Sequence, residues 1–515
     1  MTNTKISITI LLLLLFINTN LFSQKADALP RSTPEAEGVS SEGISSFLKA
    51  IANSKHEFHS FMLLRHGKVV AEGWWNPYRA DLKHTMYSAS KSFTATAIGF
   101  AVSEHLLTVN DKVVSFFPND LPDTVSPFLA QLTVKDVLSM SDGQDPDPTS
   151  IVPGRDSNWV KGFLSTPILN QPGTKFLYNS LGTYMLSAIV QKVTGQKVFD
   201  YLTPRLFKPL GITGIDWETD PRGINTGGWG LRLKTEDMAK FGQLFLQNGN
   251  WNGKQILPES WIKEASAKKI DQDPNAPQDK KDSNDWLQGY CYQMWRCRHN
   301  AYRGDGAFGQ YIIVMPEKDA VLAITSESLD MQGELNLVWE YILPSMKDDK
   351  LAANSNGDAM LKQQEATLAL PLPAKETAPG MSKEISDKTY TIAGNDKNIE
   401  SVSFSFANET CVMNLKTNTG AYHIPFAQGQ WAKDETNKYG PYLVARAKAN
   451  RVGQSPFKIA GSYEWTDANT LKLILRYIES PHTETMICHF DNNKISAEII
   501  NSFEPNNKAV ITGGY

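Results

Sequence analysis

Tyr87-Ser88-Ala89-Ser90-Lys91-Ser92-Phe93 sets a serine three residues ahead of a lysine. Residues at i and i+3 share a helix face, so the two side chains point the same way. The pattern predicts a helix from about 88 to 104, which Ser88 opens. A helix N-terminus carries free N–H groups and partial positive charge, and so favours negative charge developing nearby. A serine hydroxyl needs a base before it attacks a carbonyl, and a lysine serves once burial or a neighbouring cation has made it neutral. The same spacing recurs at Ser46/Lys49, Ser266/Lys269 and Ser455/Lys458. The first of these falls in a surface helix, the second before a Lys-Lys pair, and the third before Pro456 in a turn. Ser88 is set apart by the residues C-terminal to it. Phe93 to Val102 is apolar and small, predicts a buried helix, and takes Lys91 inside with it. A buried, unpaired lysine is costly and needs a reason. The alternative is a serine N-cap beside a lysine that reaches out to solvent.

Outward from this helix, Ser41 to Ala52 predicts a short amphipathic helix. Ser60 to Trp75 predicts a hairpin around His66-Gly67. From about 110 to 265 the pattern is helix and loop, with helical periodicity at Tyr184–Thr194 and Thr235–Asn248. Tyr311 to Thr325 predicts a second hairpin turning at residues 316–319, and Asp330 to Ile342 a closing helix stopped by Pro344. Hairpins flanked by terminal helices, with a helical insertion, imply an α+β unit over residues 31–348, built on an antiparallel sheet with a helical lobe. Residues 349–385 are rich in Asn, Gly, Pro, Gln, Lys and Glu and read as a linker. In residues 386–515, apolar residues alternate at Val402/Phe404/Phe406, Leu471/Leu473/Leu475 and Ile495/Ala497/Ile499. That pattern implies a small all-β barrel or sandwich, with Trp431 and Trp465 as core residues.

The chain has 515 residues, with 51 Lys+Arg against 55 Asp+Glu. This balance excludes the basic footprint of a nucleic-acid binder and of a polybasic membrane-surface protein. The apolar content, 41%, excludes a mainly disordered chain. Lys5 followed by the apolar run Ile10–Ile17, with Ser23 before Gln24, reads as a signal peptide over residues 1–23. The run is shorter than the roughly 20 apolar residues of a membrane helix, and no later segment reads as transmembrane. A periplasmic or secreted protein is expected. Cys291, Cys297, Cys411 and Cys488 match no zinc spacing and read as buried free thiols, with at most one incidental bridge. Among the nine histidines there is no metal-ligand pair, so neither metal nor cofactor is expected.

The stretch from Tyr87 to Thr94 resembles the active-site helix of the serine β-lactamase and penicillin-binding protein superfamily. Within it the chain is similar to the class C β-lactamase-related group, which includes esterases, D-amino-acid peptidases and 6-aminohexanoate-dimer hydrolases. The resemblance implies two further motifs. Gln171-Pro172-Gly173-Thr174-Lys175-Phe176-Leu177-Tyr178-Asn179-Ser180 resembles the Tyr-x-Asn segment. Tyr178 is in place, and Ser180 stands where the family has the asparagine that orients substrate. A phenol near Lys91 would stay partly ionised and relay protons to the leaving group. Tyr302-Arg303-Gly304-Asp305-Gly306-Ala307-Phe308-Gly309-Gln310 resembles the strand lining the site. Its alignment puts Gly304-Asp305-Gly306 on the Lys-Thr-Gly position and so removes the basic side chain, for which Arg303 is a substitute if it faces the site. Gly306 then lets substrate approach the strand, and the Ala307 N–H joins that of Ser88 as an oxyanion hole. Leu132–Leu138 and Gly227–Leu231 match other family stretches. The resemblance spans about residues 31–348.

The expectation is an exported serine hydrolase acting on a small amide or ester, with Ser88 as nucleophile, Lys91 as base and Tyr178 as acid. Ser180, Gly306, Trp159 and Trp229 are expected to contact substrate, with Trp295 as a further candidate for the pocket. Two alternatives keep the same residues: a covalent penicillin-recognising sensor that deacylates slowly, and a silent scaffold whose C-terminal domain binds a ligand.

Overall fold

In the computed structural model, residues 28–373, 379–451 and 453–515 are described; the expected signal peptide lies outside them. The N-terminal half is built on strands β1 (Glu57–Arg65), β2 (Lys68–Trp74), β3 (Trp295–Arg296), β4 (Tyr302–Gly306), β5 (Gln310–Met315) and β6 (Ala320–Glu327). They form one antiparallel sheet in the order β2-β1-β6-β5-β4-β3. Side chains alternate across a strand, so the sheet feeds two cores. Phe61, Leu63, Leu322 and Ile324 pack on one face with Ile44, Phe47 and Leu48 of α1 (Ser41–Ala52). Met62, Leu64, Ile312 and Val321 pack on the other with α2 (Ser90–Ser103) and α4 (Thr235–Leu246). Beyond α2 lies α3 (Ser180–Thr194), capped by Asn179, whose side chain accepts from the Gly182 N–H. Both hairpins and these helices fall where periodicity predicts them. The closing helix runs Met331–Leu337 and continues in a wider turn to Ile342.

The segment expected as a linker is more structured than its composition suggests. Residues Ser355–Ala366 form a helix, N-capped by Asn354. Its Leu361 is buried in the α1 core, and Glu365 accepts from the Glu72 N–H. A polar helix whose single apolar anchor seats in a neighbouring core gives too little periodicity to be read from sequence.

The C-terminal half is a barrel. The strands Thr389–Ile392, Ile399–Ala407, Thr410–Thr417, Gly420–Gln428, Phe457–Trp465, Thr470–Tyr477, Thr483–Asp491, Lys494–Asn501 and Ala509–Gly514 form a closed nine-stranded ring. Closure comes from the parallel pairing of Ala427 and Gln428 with Ser462 and Tyr463. It leaves the ring without an open edge. Val402, Phe404, Leu471, Leu473, Leu475, Ile495 and Ala497 point inward together with Trp465, while Trp431 joins the core of the N-terminal half. All four cysteines are free and buried. Among the described residues, no helix is long and apolar enough to cross a membrane.

The barrel is clamped to the N-terminal half. Arg476 donates to both carboxylate oxygens of Glu57, at 2.6 and 3.1 Å. The turn between the sixth and seventh ring strands, residues 478–482, takes the Thr85 N–H on Glu479 O and the Tyr78 hydroxyl on Ser480 O, each at 3.0 Å.

Candidate active site

Ser88 sits in a single 3-10 turn, Tyr87–Ala89, that runs into α2. Tyr87 has φ +44°, a left-handed conformation that a bulky residue keeps only when its surroundings hold it. Helix α2 is buried from Ser90 to Ala101, so Lys91 is only 1% exposed. Its Nζ donates to Gly228 O at 2.7 Å and to Ser180 Oγ at 2.8 Å, and lies 3.4 Å from Ser88 Oγ. The Tyr178 ring centroid is 4.9 Å away. Burial brings the Lys91 amine down to about 7, against a weaker opposing pull from Asp147. Once neutral, the nitrogen has two hydrogens and a lone pair. The two short contacts take the hydrogens, and the lone pair is left toward Ser88 Oγ. The longer third contact suits a resting enzyme, in which such bonds tighten only on substrate binding.

Tyr178 precedes α3. Its ring stacks on Trp295 at 5.7 Å and meets Tyr290 edge-on. Burial pushes its phenol well above the ordinary tyrosine value, with a hydrogen bond to Ser88 pulling the other way. The expectation of a partly ionised phenol is therefore corrected: at neutral pH Tyr178 keeps its proton. Environment has driven the lysine and the tyrosine apart, one toward a base and one toward an acid. Ser180 opens α3 and accepts from Lys91, so it serves the lysine and not substrate alone. Asn179 is turned inward, donating to Asp142 Oδ2 and Gln144 Oε1.

The β4–β5 hairpin brings up the opposite wall. Gly304 faces Ser92 of α2, and Gly306 faces the residue before the Ser88 turn, where a Cβ would lie 2.1 Å from Met86 O. That approach brings the end of β4, which Ala307 follows, against the residue that precedes the Ser88 turn. A methyl group at Gly306 meets backbone, which yields little. Gly306→Ala is expected to lower stability by about 1–3 kcal/mol and any activity of the site by about 10²-fold through displacement of the hairpin. Denaturant unfolding and initial rates check both.

Three expectations are corrected. Arg303 and Asp305 alternate onto the other face of the sheet from the two glycines. Arg303 is fully buried, donating from Nε to Asp305 at 2.8 Å and from Nη1 to Asp285 O, with its guanidinium 4.4 Å from the Trp286 ring. It cannot take the place of the lost basic residue. Trp159 and Trp229 are likewise in the core, 0% and 2% exposed, with ring centroids 5.8 Å apart. Of the three tryptophans considered, only Trp295 reaches the site, through Tyr178. The structure adds Gly228 O and Asp147, which the motifs do not mark. Gly228 lies in the Gly-rich stretch 227–230, whose turn signal shows in sequence while its contact with Lys91 does not.

A family model described as Beta-lactamase matches residues 58–344, more than half of the chain. The 6-aminohexanoate-dimer hydrolase of Paenarthrobacter ureafaciens is 26% identical over 282 residues, which cover 51% of this chain and 71% of that protein. The "Putative D-alanyl-D-alanine carboxypeptidase" of Escherichia coli (strain K12) is 24% identical over 230 residues, 39% of this chain and 53% of that one. Among solved structures, "Putative 6-aminohexanoate-dimer hydrolase from Bacillus anthracis" superimposes with a TM-score of 0.51 at 20% identity, covering 62% of this chain and 89% of that chain. The likeness to that structure is one of fold.

Proposed function

The chain belongs to the beta-lactamase family, and from that premise we propose that it is an exported serine hydrolase cleaving a small amide or ester through an acyl-enzyme on Ser88. Membership in the family makes it a serine hydrolase acting on amide or ester bonds. The observation that carries the finer reading is the Lys91 amine, brought to about 7 and held with its lone pair toward Ser88 Oγ.

Lys91 takes the hydroxyl proton as Ser88 Oγ attacks the carbonyl carbon. The Ser88 and Ala307 N–H groups receive the oxyanion. Tyr178 gives its proton to the leaving amine or alcohol and is reprotonated from Lys91. Water then attacks the ester carbonyl as the same pair takes its proton, and that proton passes to Ser88 Oγ as the acyl–Oγ bond breaks and the acid leaves. With Arg303 locked against Asp305, the β4 edge lacks the charge that would hold a substrate carboxylate. This favours an uncharged contact at that end, and the relative named 6-aminohexanoate-dimer hydrolase supports a small amide substrate. Export rests on Lys5 and the apolar run Ile10–Ile17. A mature N-terminus at Gln24, read by intact mass on protein recovered outside the cytoplasm, tests it.

The mechanism is tested by incubating the protein with p-nitrophenyl acetate, short amides and a fluorescent penicillin. The expected result is an acyl burst followed by steady turnover of ester and amide. Stoichiometric labelling without turnover would instead select the sensing protein.

A further inference from the structure

The barrel places one side chain between the two strained residues that flank the oxyanion donors. His482, in the barrel turn 478–482, is fully buried. Its Nε2 is hydrogen-bonded to the Tyr87 hydroxyl, and its Nδ1 lies 2.6 Å from Glu327 Oε1. A carboxylate oxygen accepts, so Nδ1 carries the hydrogen and Nε2 accepts from the Tyr87 O–H. The Ser502 hydroxyl donates to the same Glu327 oxygen at 2.6 Å. The edge of the Phe308 ring meets His482 at 5.0 Å and 88°, and Phe503 closes the cluster 4.4 Å from the imidazole.

Tyr87 and Phe308 have φ of +44° and +68°. Neither is glycine, and each needs neighbours to hold it in that region. Tyr87 shares its peptide group with the Ser88 N–H, so its backbone angle aims that donor. Phe308 follows Ala307 and fixes the turn that carries the second donor. One imidazole thus touches both residues, and it belongs to the half of the chain outside the family match, which ends at residue 344. Leu443, also from the barrel, donates its N–H to the Tyr87 hydroxyl at 3.4 Å, and Tyr442 stacks on the Tyr87 ring at 5.6 Å.

We propose that His482 is a positioning residue for the oxyanion hole, and that the barrel therefore completes the active site instead of serving as a separate binding module. The proposal rests on the reading of Ser88 as nucleophile. The test compares p-nitrophenyl acetate with its thiono analogue, whose sulfur is a poor hydrogen-bond acceptor and gains little from the hole. His482→Ala is expected to lower kcat on the oxygen ester by about 10²-fold with KM changed less than about twofold. The preference for oxygen over sulfur is expected to fall by about tenfold. Equal slowing of both esters, or an unchanged kcat, would overturn the proposal, since a merely structural defect moves the two rates together. Where His482→Ala fails to fold, Tyr87→Phe decides: it keeps the ring and removes only the hydroxyl. A reduced oxygen preference supports the clamp, and an unchanged one overturns it. Ser88→Ala run in parallel separates the two readings. If turnover survives in Ser88→Ala, the nucleophile itself is wrong. If it is lost there while His482→Ala and Tyr87→Phe match the wild type, only the clamp is wrong.

Discussion

Ser88→Ala is expected to abolish the acyl-enzyme and to lower ester and amide turnover by about 10⁴–10⁶-fold, as loss of a nucleophile does in serine hydrolases generally. The size of the loss comes from the site. In the proposed mechanism Lys91, Tyr178 and the two backbone N–H groups all act on atoms bonded to Ser88 Oγ or formed by its attack, so without that oxygen they have nothing in common to act on. The change is small for the fold. Ser88 is half-buried in a 3-10 turn, and its partner Lys91 keeps its two shorter bonds when the hydroxyl is gone. Intact mass after incubation with ester or fluorescent penicillin reads the adduct, and thermal unfolding checks the fold. An adduct retained at full occupancy in Ser88→Ala would move the nucleophile elsewhere.

Lys91→Met is expected to lower kcat by about 10³–10⁴-fold, at the upper end of what general base catalysis supplies. Folding is not expected to suffer in parallel. The amine is buried and its folded value is lowered to about 7, far below an exposed lysine. Between about 7 and the ordinary lysine value the unfolded chain binds the proton and the folded chain does not. Over that window the residue's contribution to stability rises with pH, and below it the residue is a liability. Methionine removes that liability, at the loss of the bonds to Gly228 O and Ser180 Oγ, so the melting temperature at pH 7 should hold while activity collapses. The wild-type pH profile carries the same signature. Below about 7 the amine gains a third hydrogen on the side facing Ser88 and stops accepting, so kcat/KM falls as pH drops through about 7. Tyr178 is pushed the other way by burial, so no alkaline limb arises from it within the ordinary tyrosine range. A profile flat from pH 5 to 9 would remove Lys91 as the base.

Local patterns were legible where one residue's neighbours in sequence are also its neighbours in space. Helix α1, the two hairpins and the inward residues of the barrel come from periods of 3.6 and 2, which are properties of the backbone itself, and α2 from an unbroken run of apolar and small residues. Ser88 and Lys91 stand out for the same reason, since one helical turn brings them together. Tyr178 came from an ordered set of motifs, and the structure joins it to Ser88. Side-chain direction at a sheet edge was less legible. Arg303 next to Gly304 cannot be assigned a face until the register of β4 against β5 is fixed, and that register turns it away from α2. Trp159 and Trp229 carry no mark of their own, because a tryptophan in a core and one in a cleft have the same neighbours in sequence.

The hydrolase half is written in the local order of the chain: its elements, the serine proposed as its nucleophile and the lysine proposed to serve it are all encoded within single helices, hairpins and short motifs. The state of those groups and the role of the barrel emerge in three dimensions alone. The drop in Lys91 and the rise in Tyr178 come from exclusion of water by residues scattered along the chain. His482 meets Tyr87 across 395 positions of sequence. Such contacts depend on how two separately patterned halves dock, and docking is fixed by surface complementarity, which leaves no period in the chain to read.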